Sequence, residues 1–489
     1  MRSPGAHCKG LARRSRRDPD GVLVGFAAIV TMTSVVAGLI GAPVMPADIP
    51  PQAAYSSVAQ MSPAVAEVSH SVADAPHSVA VASHTVVGDA PTGSGPATVA
   101  AGSILGALSR LSAADLPAFI DAHRSDLGRL LANPPQATDV SGVWRLLDPV
   151  KQSTLLHSAP HVIGNLEGIP YAVRGQANTL DLTRTIADTT KRLTTENGKA
   201  VRIELQRKLT TLGNVAKAMK AKDGVKRTLV ALDTSDDARA SIVIGDLATA
   251  HYVSVLVPGM YMSVGEQVVD WAKTAQNLYD EQVSWLRRVL GPRGGQGTPG
   301  VATVAWIGYQ TPVLMNIGGL TLATQGADSL ERTLEGIQTM RRASPPYLSV
   351  LAHSYGSTAA LLALQRHTVT VDALALMGSP GSDAQSVKAL SVRDGNVFVG
   401  QADLDPIVHS AFFGSDPGSA SYGAQRMGVD GGADPVTGET LAGSSGHNEY
   451  FTAGTECMRN LALIGIDLGR LVMGSAPSGT PAVQNASGH

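Results

Sequence analysis

The feature that most restricts the fold of this 489-residue chain is a change of period near Lys226. Beyond it come five short, continuously apolar runs, at 252–257, 301–309, 347–351, 373–377 and 397–399. Stretches with helical spacing separate them, chiefly 264–290, 327–342 and 357–364. Strands that are apolar on both faces and alternate with helices predict an α/β fold, its mostly parallel sheet covered by helices. Two β-rich runs just upstream, 227–233 and 241–246, flank a polar turn at Asp236 and Asp237 and read as a hairpin. In such a sheet ligands bind at the carboxyl ends of the strands. Residues that follow each apolar run are therefore where chemistry is expected.

Upstream of the period change, residues 103–225 read as a helical module placed before the α/β domain at 226–475. Ile104, Leu108 and Leu111 recur at helical steps, as do Leu116 and Ile120, then Leu127 and Leu131. Ser112 followed by Asp115 looks like a helix start, and 164–170 interrupts the helical pattern. The charged run from Lys191 to Lys222 reads as a solvated face. No spacing in this module suggests a catalytic group, so it reads as a cap or scaffold.

The N-terminal part has a different composition. A basic segment (residues 1–20, with Arg13, Arg14, Arg16 and Arg17) precedes an apolar stretch at 21–43. That length suits either a cleaved signal peptide or a membrane anchor, and the basic flank places the segment before it in the cytoplasm. Residues 44–102 are a low-complexity spacer of Ala, Ser, Val, Pro and His. His70, His77 and His84 recur there at seven-residue intervals, but Pro76 breaks any helix that would align them. Residues 476–489 read as a flexible tail. The expected location is exported: in the cell envelope through the N-terminal segment, or secreted.

Charge and cysteine content exclude several classes. Lys and Arg total 38 against 40 for Asp and Glu, so no field gathers nucleic acid. The two cysteines, Cys8 and Cys457, cannot build a disulfide scaffold or a Cys-based zinc cluster. With Cys8 on the cytoplasmic side, Cys457 reads as a small buried hydrophobe.

The run ending at Leu351 leads into Ala352-His353-Ser354-Tyr355-Gly356 and then a helix-favouring stretch. A tight strand-to-helix turn with small residues two positions to either side lifts a serine hydroxyl clear of the sheet. Ala442-Gly443-Ser444-Ser445-Gly446 has a similar small-residue pattern, but no buried strand before it or helix directly after it. An ordinary serine in a βα turn is the plain alternative for Ser354. A nucleophilic serine needs a base, and the base an orienting carboxylate, here in the chain order Ser, acid, His. After the run at 397–399, Asp405 before Pro406 is the expected acid and Asp403 the alternative, with turn capping the plain reading of either. His447 is the expected base, ahead of His409 and His353. Met260, after Val257-Pro258-Gly259, and Tyr355 are expected to supply the oxyanion-hole amides. The Pro-Gly pair is otherwise an ordinary turn signal. No cofactor or metal is required.

The stretch 164–170 with Val173-Arg174 and Ala177-Asn178 resembles an actinobacterial α/β-hydrolase family long catalogued as a domain of unknown function. Val257-Pro258-Gly259, Trp306-Ile307-Gly308-Tyr309, His353-Ser354-Tyr355-Gly356-Ser357, Gly378-Ser379-Pro380-Gly381 and His447-Asn448-Glu449-Tyr450-Phe451 extend the resemblance over roughly 104–473. It implies an α/β-hydrolase fold and a triad of Ser354, His447 and one of Asp403 and Asp405. Ala352 departs from the family, which has glycine there. The expectation is an exported serine hydrolase acting on carboxylic esters, lipid or acyl in kind. An acyltransferase of envelope lipids would use the same triad, and a catalytically silent envelope scaffold would keep the fold for binding.

Overall fold

The computed structural model describes residues 101–220, 224–235, 238–291, 300–313 and 315–474. The basic segment, the apolar stretch at 21–43, Cys8, the turn at Asp236 and Asp237, the tail at 476–489 and nearly all of the spacer lie outside those residues. Eight strands form one sheet: β1 (Arg227–Asp233), β2 (Arg239–Gly245), β3 (Tyr252–Val257), β4 (Val301–Ile307), β5 (Tyr347–His353), β6 (Ala373–Met377), β7 (Val397–Gly400) and β8 (Gln425–Arg426). Their spatial order is β1-β2-β4-β3-β5-β6-β7-β8. β2 runs antiparallel to both β1 and β4, and every later pairing is parallel. This mostly parallel sheet is the α/β-hydrolase architecture. A separate two-stranded ribbon joins β9 (Gly432–Ala433) and β10 (Thr440–Leu441).

The apolar runs became strands because they are covered on both faces. Every residue of β4, β6 and β7 is buried. Among the described residues twelve α-helices precede, separate and follow the strands: α1 (Ala101–Arg110), α2 (Leu116–Ala122), α3 (Arg124–Ala132), α4 (Ala137–Leu146), α5 (Pro149–Ser158), α6 (Pro160–Asn165), α7 (Tyr171–Thr195), α8 (Lys199–Ala218), α9 (Val264–Leu290), α10 (Thr321–Met340), α11 (Tyr355–Gln365) and α12 (Glu456–Ile464). One buried cluster joins α8, α9 and α12 to the sheet, and a second joins α10 and α11. α9 opens with the Ser263 hydroxyl accepting from the Glu266 amide, a serine cap with glutamate three residues on. α11 is buried on nearly every side, its Ser357 and Thr358 hydroxyls bonded inside, which marks it as a central helix.

Several boundaries differ from the periodicity by a residue or more, three of them at helix ends. α10 starts at Thr321 rather than 327, because the Ala323 amide donates to the Tyr355 hydroxyl, a partner contributed by another element. α11 begins immediately after Ser354, two residues earlier than expected. The last helix stops at Ile464 rather than running to 472. There Gly465 packs beside Gln282 and Ser254, Asp467 adopts φ 59°, and the chain folds Gly469 onto Phe398.

α1 to α6 enclose a third cluster around Ile104, Leu116, Leu130 and Trp144. α7 and α8 pack on the sheet instead: Leu182, Leu212, Val215 and Ala218 share a cluster with Ile242 and Ile244 of β2. The join at β1 is polar and specific. The Asn165 side chain donates to the Leu232 carbonyl and accepts from the Leu232 amide, both at 2.8 Å, as a neighbouring strand would. Asn178 donates to the Leu229 and Gly164 carbonyls at 2.9 Å, and Arg174 pairs with Glu167 through two nitrogens. Asn165 and Glu167 lie in the interruption at 164–170, and Arg174 and Asn178 in the first turns of α7. Asn165 and Asn178 occupy hydrogen-bonding groups of an edge strand that would otherwise invite another chain.

Candidate active site

Ser354 stands between β5 and α11 with φ 53° and ψ −132°. A non-glycine residue in that region is strained, and the strain is held by its surroundings. The Ser354 amide donates to the Met377 carbonyl at 2.9 Å, tying the turn to the neighbouring strand. At Gly356 any side chain would collide with the Pro258 carbonyl. At Gly259 a Cβ would come 2.6 Å from the Cβ of Ser354. The small residues around the serine are thus required by close backbone approach. Ala352 is fully buried between the sheet and α11, where its methyl fits.

His447 reaches Ser354 across 93 residues of chain, its Nε2 2.7 Å from the serine Oγ. Its Nδ1 lies 2.9 Å from each carboxylate oxygen of Asp405. A proton on Nδ1, donated to the carboxylate, leaves Nε2 as acceptor for the serine O–H. Asp405 is buried and also accepts from the Tyr450 hydroxyl at 2.6 Å and the Ile407 amide at 2.9 Å. Burial pushes its pKa up, but the hydrogen bonds and charge of His447 with the Tyr450 and Ile407 donors outweigh this, holding it below the usual range. Asp403 is exposed on the same turn, and the carboxylate that meets His447 belongs to Asp405. His409 is exposed and bonds Asp416 at 2.9 Å, away from the serine. Ser444 and Ser445 lie in the loop that carries His447, where the Glu449 carboxylate accepts from the Ser445 amide and hydroxyl.

Three further residues complete the surroundings. His353 packs its ring 4.8 Å from that of His447 and lies 2.6 Å from the His447 carbonyl through Nε2. A carbonyl only accepts, so Nε2 carries the proton. Burial, with repulsion from His447, pushes the His353 pKa down to about 3, so the ring stays neutral. Tyr450 receives the Ala402 amide at 2.9 Å while donating to Asp405, which fixes the carboxylate from behind. Gly378, with φ 56°, lets Asp405 and His447 approach the end of β6: a Cβ there would sit 2.7 Å from Asp405 Oδ2 and 2.9 Å from His447 Nδ1. The sequence ranked His353 behind His447 as a base, and its place beside the serine gave no hint that its ring packs on His447. Tyr450 and Gly378 stood within quoted motifs without a role.

Met260 and Tyr355 flank the serine from two sides. Tyr355 is the first residue of α11, so its amide has no carbonyl within that helix to bond. Met260 follows Gly259, and the next two amides, of Tyr261 and Met262, bond the Pro312 carbonyl and the Thr311 hydroxyl. Pro258 in turn is held by the Tyr309 hydroxyl, which donates to its carbonyl at 2.8 Å. Cys457 is buried in α12, where burial pushes its thiol pKa well up.

The strand order and the turn at Ser354 define the class of protein, an α/β-hydrolase fold with a strained serine at the C-terminal end of β5. A family profile described as alpha/beta hydrolase matches residues 233–415. The uncharacterized protein Mb0988c of Mycobacterium bovis is 30% identical over 216 residues, 42% of this chain and 79% of that protein. The uncharacterized protein Rv2079 of Mycobacterium tuberculosis is 27% identical over 388 residues, 67% of this chain, and the match spans only 56% of its length. The chain belongs to the alpha/beta hydrolase family. Among solved structures, carboxyl esterase 2 of Tuber melanosporum overlaps 52% of this chain and 89% of its own at 9% identity and TM-score 0.29. An esterase of Pyrobaculum calidifontis overlaps 58% and 97% at 10% identity and TM-score 0.29. At those scores neither likeness informs the site.

Proposed function

We propose that this protein is an exported serine hydrolase that cleaves carboxylic esters, lipid or acyl in kind, through an acyl-enzyme. The observation that carries the reading is the unbroken run of hydrogen bonds from the Ser354 hydroxyl through His447 to Asp405. The Ser354 oxygen attacks the ester carbonyl while His447 Nε2 takes its proton. The Met260 and Tyr355 amides hold the developing oxyanion. Collapse breaks the bond to the leaving alcohol, which departs with the proton from His447. Water then repeats the sequence and frees the acid. Asp405 stays ionised and stabilises the imidazolium that forms in each half.

The test is a fluorophosphonate probe on the purified protein. Labelling that disappears in Ser354→Ala is the expected outcome. A folded sample that never labels would instead favour a silent scaffold. Export rests on the basic and apolar composition of the first 43 residues. Among the described residues no helix is long and apolar enough to cross a membrane. Fractionation of cells carrying the tagged full-length chain, with sequencing of its N-terminus, tests export and whether the segment is cut.

A further inference from the structure

Half of the large hydrophobic side chains left exposed among the described residues lie on the loops after β3, β4 and β7. They are Tyr261, Val313, Met315 (97% exposed), Leu320, Leu404 (73%) and Phe412. Tyr261 follows two residues after Gly259, which abuts Ser354, and its amide donates to the carbonyl of Pro312, next to Val313. The Asn316 amide, next to Met315, donates to the Val313 carbonyl at 3.0 Å. Leu320 follows Gly319, whose carbonyl receives the Tyr355 hydroxyl. Phe412 packs edge-on against Phe413 at 4.9 Å, and Phe413 against Tyr355 at 5.6 Å. Leu404 precedes Asp405. The side chains therefore lie on the loops at the carboxyl edge of the sheet, the edge that carries Ser354, and exposed apolar side chains gathered there mark a surface that meets a partner or another apolar phase.

Charge decides what that phase is. The loops after β3, β4, β6 and β7 and the loop that carries His447, residues 258–263, 308–320, 378–386, 401–418 and 443–455, hold none of the chain's 38 lysines and arginines, and Arg239, beside the end of β4, is paired with Asp233. These loops hold five carboxylates, of which Asp383, Asp403 and Glu449 are exposed, Asp416 is half-buried and Asp405 is buried. Anionic lipid surfaces are recognised by clustered Lys and Arg, which this edge lacks. A protein partner seated on these side chains would cover the edge that carries Ser354, whereas an ester surface would feed it.

We propose that these side chains form a docking surface for aggregated, uncharged esters, seating the C-terminal edge of the sheet on an acylglycerol-like surface from which acyl chains reach Ser354. It rests on the reading of Ser354 as nucleophile. The test compares full-length protein with the M315D/F412D variant on soluble p-nitrophenyl butyrate and on tributyrin across its solubility limit. Flotation with triolein droplets and with phosphatidylglycerol vesicles, in the Ser354→Ala background, reads docking without turnover.

The parent's rate rises above the tributyrin solubility limit, and it floats with droplets rather than vesicles. The variant loses droplet binding and emulsion rate by about tenfold per side chain, the weight of one buried large apolar group. Its kcat/KM on the soluble ester stays within about threefold, as for surface changes generally, and its melting curve is unchanged. Unchanged droplet binding, an equal loss on the soluble ester, or preference for the anionic vesicles would overturn the proposal. Absence of turnover on every ester by the parent would instead sink the nucleophile reading, while flotation still reports on docking.

Discussion

At the scale of single residues, the site is a set of side chains whose protonation and approach are fixed by neighbours. His353 is held neutral, with a pKa depressed from 6.5 to about 3. Below pH 6.5 the unfolded chain binds a proton on this imidazole that the folded protein refuses. Stability from this group is therefore complete above 6.5 and declines as the pH falls toward 3. Urea midpoints between pH 7 and pH 4.5 are expected to fall, and His353→Asn, which keeps a donor for the His447 carbonyl, to flatten that decline. Asp405 adds its own loss only at lower pH, since its depressed carboxylate stabilises the fold above the usual Asp range and gives way as the pH drops through its folded value. Asp405→Asn preserves shape but removes the charge that sets the His447 tautomer, and kcat is expected to fall by about 10⁴-fold. Gly378→Ala pushes a methyl against Asp405 and His447, so kcat should collapse while melting shifts modestly. A Gly378→Ala protein with normal turnover would show that the end of β6 leaves room for a methyl group beside Asp405 and His447.

At the scale of elements, polar side chains join pieces that hydrophobic pattern alone cannot order. Asn178 is buried and spans 51 residues of sequence to reach the Leu229 carbonyl. Asn178→Ala leaves backbone carbonyls without that donor, and the expected loss is about 1–3 kcal/mol by urea unfolding. Arg459 of α12 pairs with Asp434, both 2% exposed, and stacks 5.0 Å over Trp285 of α9. Removing Arg459 alone strands a buried carboxylate, and Arg459→Met is expected to cost about 3–5 kcal/mol. The strands and long helices were legible from their apolar runs, 264–290 and 373–377 to the residue. The early start of α10 and the early stop of α12 were not, because each is set by a contact with a distant element.

At the scale of the whole molecule, the helical segment and the sheet share buried surface, since α7 and α8 pack on β1, β2 and α9. A fragment of residues 226–474 would expose that surface together with the β1 edge. It is expected to aggregate on expression, while residues 101–474 remain soluble and melt in one transition. A monomeric, cooperatively folding 226–474 fragment would refute the idea that the two regions are energetically joined.

The order of strands and helices, the two-faced burial of the sheet and the small residues around Ser354 follow from local pattern, because periodicity and turn sterics act over a few neighbouring positions. Which carboxylate meets His447, the packing of His353 on that ring, the anchoring of Asp405 by Tyr450 and the use of Asn165 as a strand mimic were decided by the tertiary structure. Those pairings join residues 42 to 94 positions apart. Only chain closure around a common core brings such groups within hydrogen-bonding distance.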